Sequence, residues 1–198
     1  MSTINVSRRR FLQTSAVTGG GLVVGLAVTG CSGTPAPLPV ARTQGAWTPN
    51  AFLQVLPDNT IRFYTARSEM GQGVTTGLAT LVGEELDVNP LDMEIRLAGA
   101  HEDYVNPAFG MQGTGGSTSI RAHYLQLRQV GANTRALILE AASQDLGVPV
   151  SSLSTENGYI VQGASRHPYA DFITTAQSLN IDADAALKPA SQFKYIGQ

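Results

Sequence analysis

Residues 117–146 constrain this chain more than any other stretch. Ile120, Tyr124, Leu127, Gly131, Thr134, Ile138, Ala141 and Leu146 recur at mostly three- and four-residue intervals, the repeat of one side of a long α-helix. Gly147 followed by Pro149 supplies the stop. Arg121, Arg128 and Arg135 return every seven residues on a different stripe, expected to be a solvated or interface face. Around this helix the pattern alternates. Residues 52–56 and 60–65 are β-rich and flank Pro57-Asp58-Asn59, which predicts a β-hairpin. Val74, Leu78, Leu81, Val82 and Leu86 predict a helix over 74–87, and residues 92–98 alternate as a strand. Short strands near 153–156 and 159–161 flank Glu156-Asn157-Gly158, and residues 168–178 suit a last short helix. Helix-bearing segments between β pairs predict an α+β, or layered α/β, fold.

The N-terminus stands outside that fold. Ser7-Arg8-Arg9-Arg10-Phe11-Leu12-Gln13 matches a twin-arginine export signal, followed by a mildly apolar run from Ala16 to Val28. That run is too short for an ordinary transmembrane helix. Cys31 follows Val28-Thr29-Gly30, an order resembling a lipobox, in which the cysteine is lipid-modified; an incidental cysteine ahead of a later cleavage site is the alternative. Residues 1–31 are therefore expected to act as a signal peptide directing the protein to the periplasm. Residues 32–46, rich in Pro and Gly, are expected to be a linker. Loss of Arg8, Arg9 and Arg10 leaves ten basic against fifteen acidic residues, a net charge of −5. Nothing in that balance asks for a nucleic acid. One cysteine rules out a disulfide framework and a zinc site built from several thiolates.

Two glycine-rich stretches each run into a predicted helix. One is Ser68-Glu69-Met70-Gly71-Gln72-Gly73; the other is Met111 to Ser119, containing Thr114-Gly115-Gly116-Ser117-Thr118-Ser119. A helix start presents unpaired N–H groups and partial positive charge, which favour an anion. Glycines ahead of it let the backbone approach a ligand. Ser117, Thr118 and Ser119 are candidates for an N-cap and for ligand hydroxyls. Neither stretch fits a dinucleotide fingerprint or a phosphate-binding loop of the Gly-Lys-Ser/Thr type. His101, His123 and His167 have no metal spacing, and His123 is expected to be structural. Glu84-Glu85 is expected to be a solvated pair. No nucleophile elbow is present.

Taken together, Ser68 to Val74, Glu84-Glu85-Leu86-Asp87-Val88 and Thr114 to Arg121 resemble the molybdopterin-binding large subunit of the xanthine dehydrogenase/aldehyde oxidase family, in particular the isoquinoline 1-oxidoreductase beta-subunit type. The resemblance covers roughly residues 47–197. It implies that residues 47–198 are the N-terminal part of a molybdopterin-binding domain, with the cofactor as molybdopterin or its cytosine dinucleotide form. Metal would be held by pterin sulfurs rather than by protein ligands. Gln72 would donate to an oxo group of molybdenum, Gly71 and Gly73 would bring the loop close, and Thr114, Gly115, Gly116, Ser117, Thr118 and Ser119 would line the pterin or its phosphate.

The resemblance further implies oxidation of an aldehyde or aromatic N-heterocycle with water as oxygen source. Electrons would leave through a separate [2Fe–2S] small subunit to a cytochrome c or quinone-linked acceptor. The family's catalytic glutamate, in a Gly-Glu-x-Gly context near the far C-terminus, has no counterpart in this sequence. Phe193 to Gln198 looks like the start of a connection, so a fragment of a longer subunit, completed by the remainder of the large subunit, is expected. The alternative is a non-catalytic exported lipoprotein domain that binds a partner or a small anion.

Overall fold

The computed structural model of the protein describes residues 43–180 and 183–198. The expected signal peptide, Cys31 and most of the expected linker lie outside the described residues.

The fold is α+β. Four strands, β1 (Trp47–Asn50), β2 (Leu53–Val55), β3 (Ile61–Thr65) and β4 (Glu94–Leu97), form one sheet in sequence order. The expected hairpin is β2–β3, antiparallel with Leu53 opposite Phe63 and Val55 opposite Ile61. Asn59 takes a positive φ of 66° in its turn, which asparagine tolerates, and Asp58 accepts from the Thr60 N–H at 2.9 Å. β1 was not expected. It turns back onto β2 through Asn50, whose Oδ1 accepts from the N–H groups of Phe52 and Leu53 at 2.9 and 3.0 Å. β3 and β4 run parallel, and the crossover between them is helix α1 (Val74–Leu86).

The long helix α2 spans Ser119–Leu146, 28 residues, or about 42 Å at 1.5 Å per residue. Its stop is the predicted one: Gly147 has φ 65°, and its N–H returns to the Gln144 carbonyl. α2 lies against α1 with Gly131 at the contact, where a β-carbon would sit 2.5 Å from the Val82 carbonyl oxygen and 3.0 Å from Glu85 Cβ. Glycine is thus required there for close approach. Leu127, Ile138 and Ala141 of the expected face are buried, whereas Ile120 remains 40% exposed.

A second sheet, β5 (Ser154–Glu156), β6 (Tyr159–Gln162) and the unexpected β7 (Ser165–Pro168), is an antiparallel meander. The expected helix over 168–178 shortens to a 3₁₀ turn at Tyr169–Phe172 and one α-turn, α3 (Ile173–Ala176). Tyr169 joins this unit to α1: it is fully buried and donates to the Leu86 carbonyl at 2.9 Å.

The solvated Glu84-Glu85 pair is corrected by the structure, since both residues are fully buried. Glu85 accepts from Arg128 Nε and Nη2 at 2.8 and 2.6 Å. Glu84 accepts from the backbone N–H groups of Lys194, Tyr195 and Ile196 at 2.7–3.0 Å. Of the arginine stripe, Arg121 is exposed, Arg128 is buried in this pair, and Arg135 lies 3.9 Å from Asp87. A buried carboxylate requires such partners, and here they come from α2 and the C-terminal segment.

Candidate functional site

Each glycine-rich stretch forms the loop at the N-terminus of one of the two packed helices, so helix packing brings the loops together. Ser68 donates its backbone N–H to Thr114 Oγ1 at 2.9 Å, a direct bond between them. The crevice they border has a volume of about 450 Å³. Gln72, Gly73, Thr114, Gly115, Ser117 and Ser119 line it, with Met70, Val74, Gly77 and Ile120 as an apolar wall. Six expected residues therefore meet. Gly71 lies in the first loop outside the lining, Gly116 in the turn behind it, and Thr118 beneath it, buried.

The first loop is closed by its own side chains. Glu69 Oε1 accepts from the N–H groups of Gly71 and Gly73 at 2.8 and 2.9 Å. Oε2 accepts from the Thr75 N–H at 3.1 Å and from Thr75 Oγ1 at 2.9 Å. The N–H groups of Thr75 and Gly73, aided by the Thr75 hydroxyl and Gly71, hold the Glu69 carboxyl down at about 2. The anion that the start of α1 favours is thus supplied by a carboxylate of this chain. Gln72 folds the same way: Oε1 accepts from the Met70 N–H at 2.6 Å, and Nε2 donates to the Ser68 carbonyl at 2.9 Å. Gly71 and Gly73 have φ of 92° and 76°, the left-handed region that makes this tight path accessible to glycine.

The second loop is open. Thr118 occupies the N-cap position of α2, but its side chain does not cap the helix. Its hydroxyl donates to the Gly115 carbonyl at 2.8 Å and accepts from Asn106 Nδ2 at 2.8 Å, so the expected hydroxyl cap is replaced by a brace inside the loop. Ser117 is held at φ 52°, which strains a residue with a β-carbon. Ser117, Ser119 and the first turn of α2 face the crevice without a carboxylate from this loop.

Beneath both loops lies an arrangement with no signal in the sequence. Arg67 is fully buried and donates to the carbonyls of Ala66 and Tyr104 at 2.9 and 3.2 Å. Its Nη2 is 2.7 Å from His123 Nε2, and His123 Nδ1 is 2.9 Å from the Ser119 carbonyl. A guanidinium can only donate, so Nε2 accepts and Nδ1 carries the proton. Burial and the Arg67 charge hold the His123 pKa below its usual value, which fits this neutral tautomer. The expected structural histidine thus ties the root of the first loop to the first turn of α2. Among the described residues Arg67 has no carboxylate partner and its Nε has no acceptor.

Among the described residues, no group of three His, Cys, Asp or Glu side chains is placed to hold a metal ion. The crevice offers amide, hydroxyl and N–H groups instead.

The sequence profile of the molybdopterin cofactor-binding domain matches residues 2–196. A membrane-bound aldehyde dehydrogenase of Gluconacetobacter polyoxogenes, whose name specifies pyrroloquinoline quinone, is 28% identical over 98% of this chain and 25% of its own length. The beta subunit of isoquinoline 1-oxidoreductase of Brevundimonas diminuta is 28% identical over 88% of this chain and 22% of its own. Quinoline 2-oxidoreductase from Pseudomonas putida 86 superposes with a TM-score of 0.46 at 16% identity, over 68% of this chain and 17% of that one. The chain spans about a quarter of the length of the curated relatives it matches. The profile match and the motifs on the two loops lead to one assignment: this chain belongs to the molybdopterin cofactor-binding domain family, as its resemblance to large subunits of the xanthine dehydrogenase/aldehyde oxidase type implied.

Proposed function

We propose that this chain contributes the α1–α2 crevice to a molybdenum hydroxylase large subunit, and that the whole enzyme oxidises an aldehyde or an aromatic N-heterocycle with water as oxygen source. The observation that carries the reading is the meeting of Gln72, Gly73, Thr114, Gly115, Ser117 and Ser119 around one crevice. When bound, the cofactor, as molybdopterin or its cytosine dinucleotide form, supplies the two-electron oxidation of the substrate carbon. The residues fit such a group. Ser117 and Ser119 offer hydroxyls beside the uncapped first turn of α2, which suits a phosphate. Gly115 has open space where a β-carbon would stand, so the backbone admits a flat ring close by. Gln72 has one amide N–H engaged with Ser68 and, among the described residues, the other left to donate. The Glu69 carboxylate repels a second anion from the start of α1, directing phosphate to the α2 side.

In the same reading, electrons pass to a [2Fe–2S] small subunit and then to a cytochrome c or quinone-linked acceptor. The catalytic glutamate comes from the remainder of the large subunit. Arg8-Arg9 marks periplasmic export by the twin-arginine route, and Cys31 marks a lipid anchor.

The test compares the holoenzyme with its Gln72→Ala variant for turnover, molybdenum and pterin. A hydrogen bond to a reacting centre is worth about ten- to a hundredfold in turnover. That loss is expected with little change in molybdenum, because the Thr114–Ser119 loop still holds the cofactor. Full turnover at normal molybdenum would reduce Gly71-Gln72-Gly73 to a tight turn. Recovery of pyrroloquinoline quinone in place of molybdenum and pterin would overturn the cofactor assignment.

A further inference from the structure

We infer that Glu69 is a positioning residue that sets the orientation of the Gln72 amide at the crevice. The inference rests on the reading of Gln72 given above. A helix cap needs an acceptor only for the first free N–H groups of the helix. Glu69 provides this with Oε2, which takes the N–H and hydroxyl of Thr75 in the first turn of α1. Its other oxygen does something a cap does not require. Oε1 binds the N–H groups of Gly71 and Gly73, the two residues on either side of Gln72. Both glycines have positive φ and wide conformational freedom, so Gln72 sits between two joints whose N–H groups this one carboxylate pins.

The pinned loop decides which amide atom goes where. The Met70 N–H can only donate and the Ser68 carbonyl can only accept, so Gln72 must present Oε1 to Met70 and Nε2 to Ser68. An amide flip would set donor against donor and acceptor against acceptor. Among the described residues Nε2 donates to Ser68 alone, which leaves its second N–H available in a residue that lines the crevice. Met70 and Ser68 flank Glu69 in sequence, so the carboxylate that pins the glycines also belongs to the turn that reads the amide.

The test is a double-mutant cycle of Glu69→Ala and Gln72→Ala in the holoenzyme, with a spectrum of the full chain as a readout independent of turnover. Misplacement of a reacting group is costly, and Glu69→Ala is expected to lower kcat about tenfold with KM little changed. In the Gln72→Ala background the same substitution should have almost no further effect, because the group it positions is gone. Glu69→Gln keeps one oxygen acceptor and should restore part of kcat. In the ¹⁵N–¹H spectrum, the two Gln72 side-chain amide protons should be well separated in the wild type and collapse toward free-glutamine positions in Glu69→Ala. Additive losses, or amide signals unmoved by Glu69→Ala, would make Glu69 an ordinary cap and overturn the inference. If Gln72→Ala alone keeps full turnover, the reading of Gln72 falls instead, and the amide signals still decide whether Glu69 orients it.

Discussion

The two ends of α1 use the same side chain in opposite ways. At its start Glu69 is exposed and finds all its partners within six residues, on Gly71, Gly73 and Thr75. Near its end Glu84 and Glu85 are fully buried, and their partners lie 43 to 112 residues away. The first carboxylate shapes a loop; the others hold the C-terminal segment and α2 against α1. Solvation explains the split. In water a carboxylate loses little by choosing a local partner, whereas in the interior it must be fully satisfied wherever the chain can supply donors.

The largest expected effect lies at the buried end. Glu85→Ala leaves the Arg128 guanidinium without its carboxylate, keeping only the Lys188 carbonyl and the faces of Tyr124 and Phe193. Removing one partner of a buried pair costs about 3–5 kcal/mol, which chemical denaturation would read directly. Amide protection at Gly71 and Gly73 in the folded state should be unaffected. A loss as small as that of a surface carboxylate would erase the contrast between the two ends.

Acid probes the exposed end. The Thr75 and Gly73 N–H groups, with the Thr75 hydroxyl and Gly71, lower the Glu69 carboxyl from 4.5 to about 2 on folding. The folded loop binds the proton less tightly than the unfolded chain, so its contribution is complete above about 4.5 and is lost as pH falls toward about 2. Amide exchange at Gly71, Gly73 and Thr75, corrected for the intrinsic pH dependence of exchange, should show flat protection down to about 4.5 and a decline below it. Decline beginning near neutrality would mean the carboxylate does not hold these bonds.

The smallest effect concerns the open loop. Ser117 is strained at φ 52°, and Ser117→Gly should raise stability by about 0.5 kcal/mol, less than the full left-handed penalty because glycine also loosens the unfolded chain. Molybdenum retention should fall at the same time if the hydroxyl serves the cofactor, as strain kept at a binding site implies. Calorimetry and metal content on the same preparation would check both. A stabilised variant with unchanged retention would assign Ser117 to the turn alone.

Elements with strong local signals were legible in advance: the β2–β3 hairpin from its Pro-Asp-Asn turn, α1 and α2 from their apolar repeats, and the α2 stop from Gly147. The glycine-rich loops were legible as a pair, and six of their nine named residues meet at the crevice. Other features left no such mark. β1, Trp-Thr-Pro-Asn, and β7, Ser-Arg-His-Pro, carry no alternating apolar pattern and are defined by the neighbours they pair with. Arg67 gave no signal because its setting is made by Tyr104 and His123, 37 and 56 residues away.

What the linear order of residues dictates here is what neighbours within a turn or two can decide: periodicity, turn chemistry, and where backbone N–H groups stand free. Even the Glu69 clamp is local in this sense, although its closure of the α1 start depends on a side-chain path that residue types alone do not specify. Tertiary structure decides which charges leave water. Glu84, Glu85 and Arg128 look like solvated helix residues in a string of letters, because exposure depends on what packs over them. In the fold, α2 and the segment from Lys188 to Ile196 cover them and supply the donors that a buried carboxylate cannot do without.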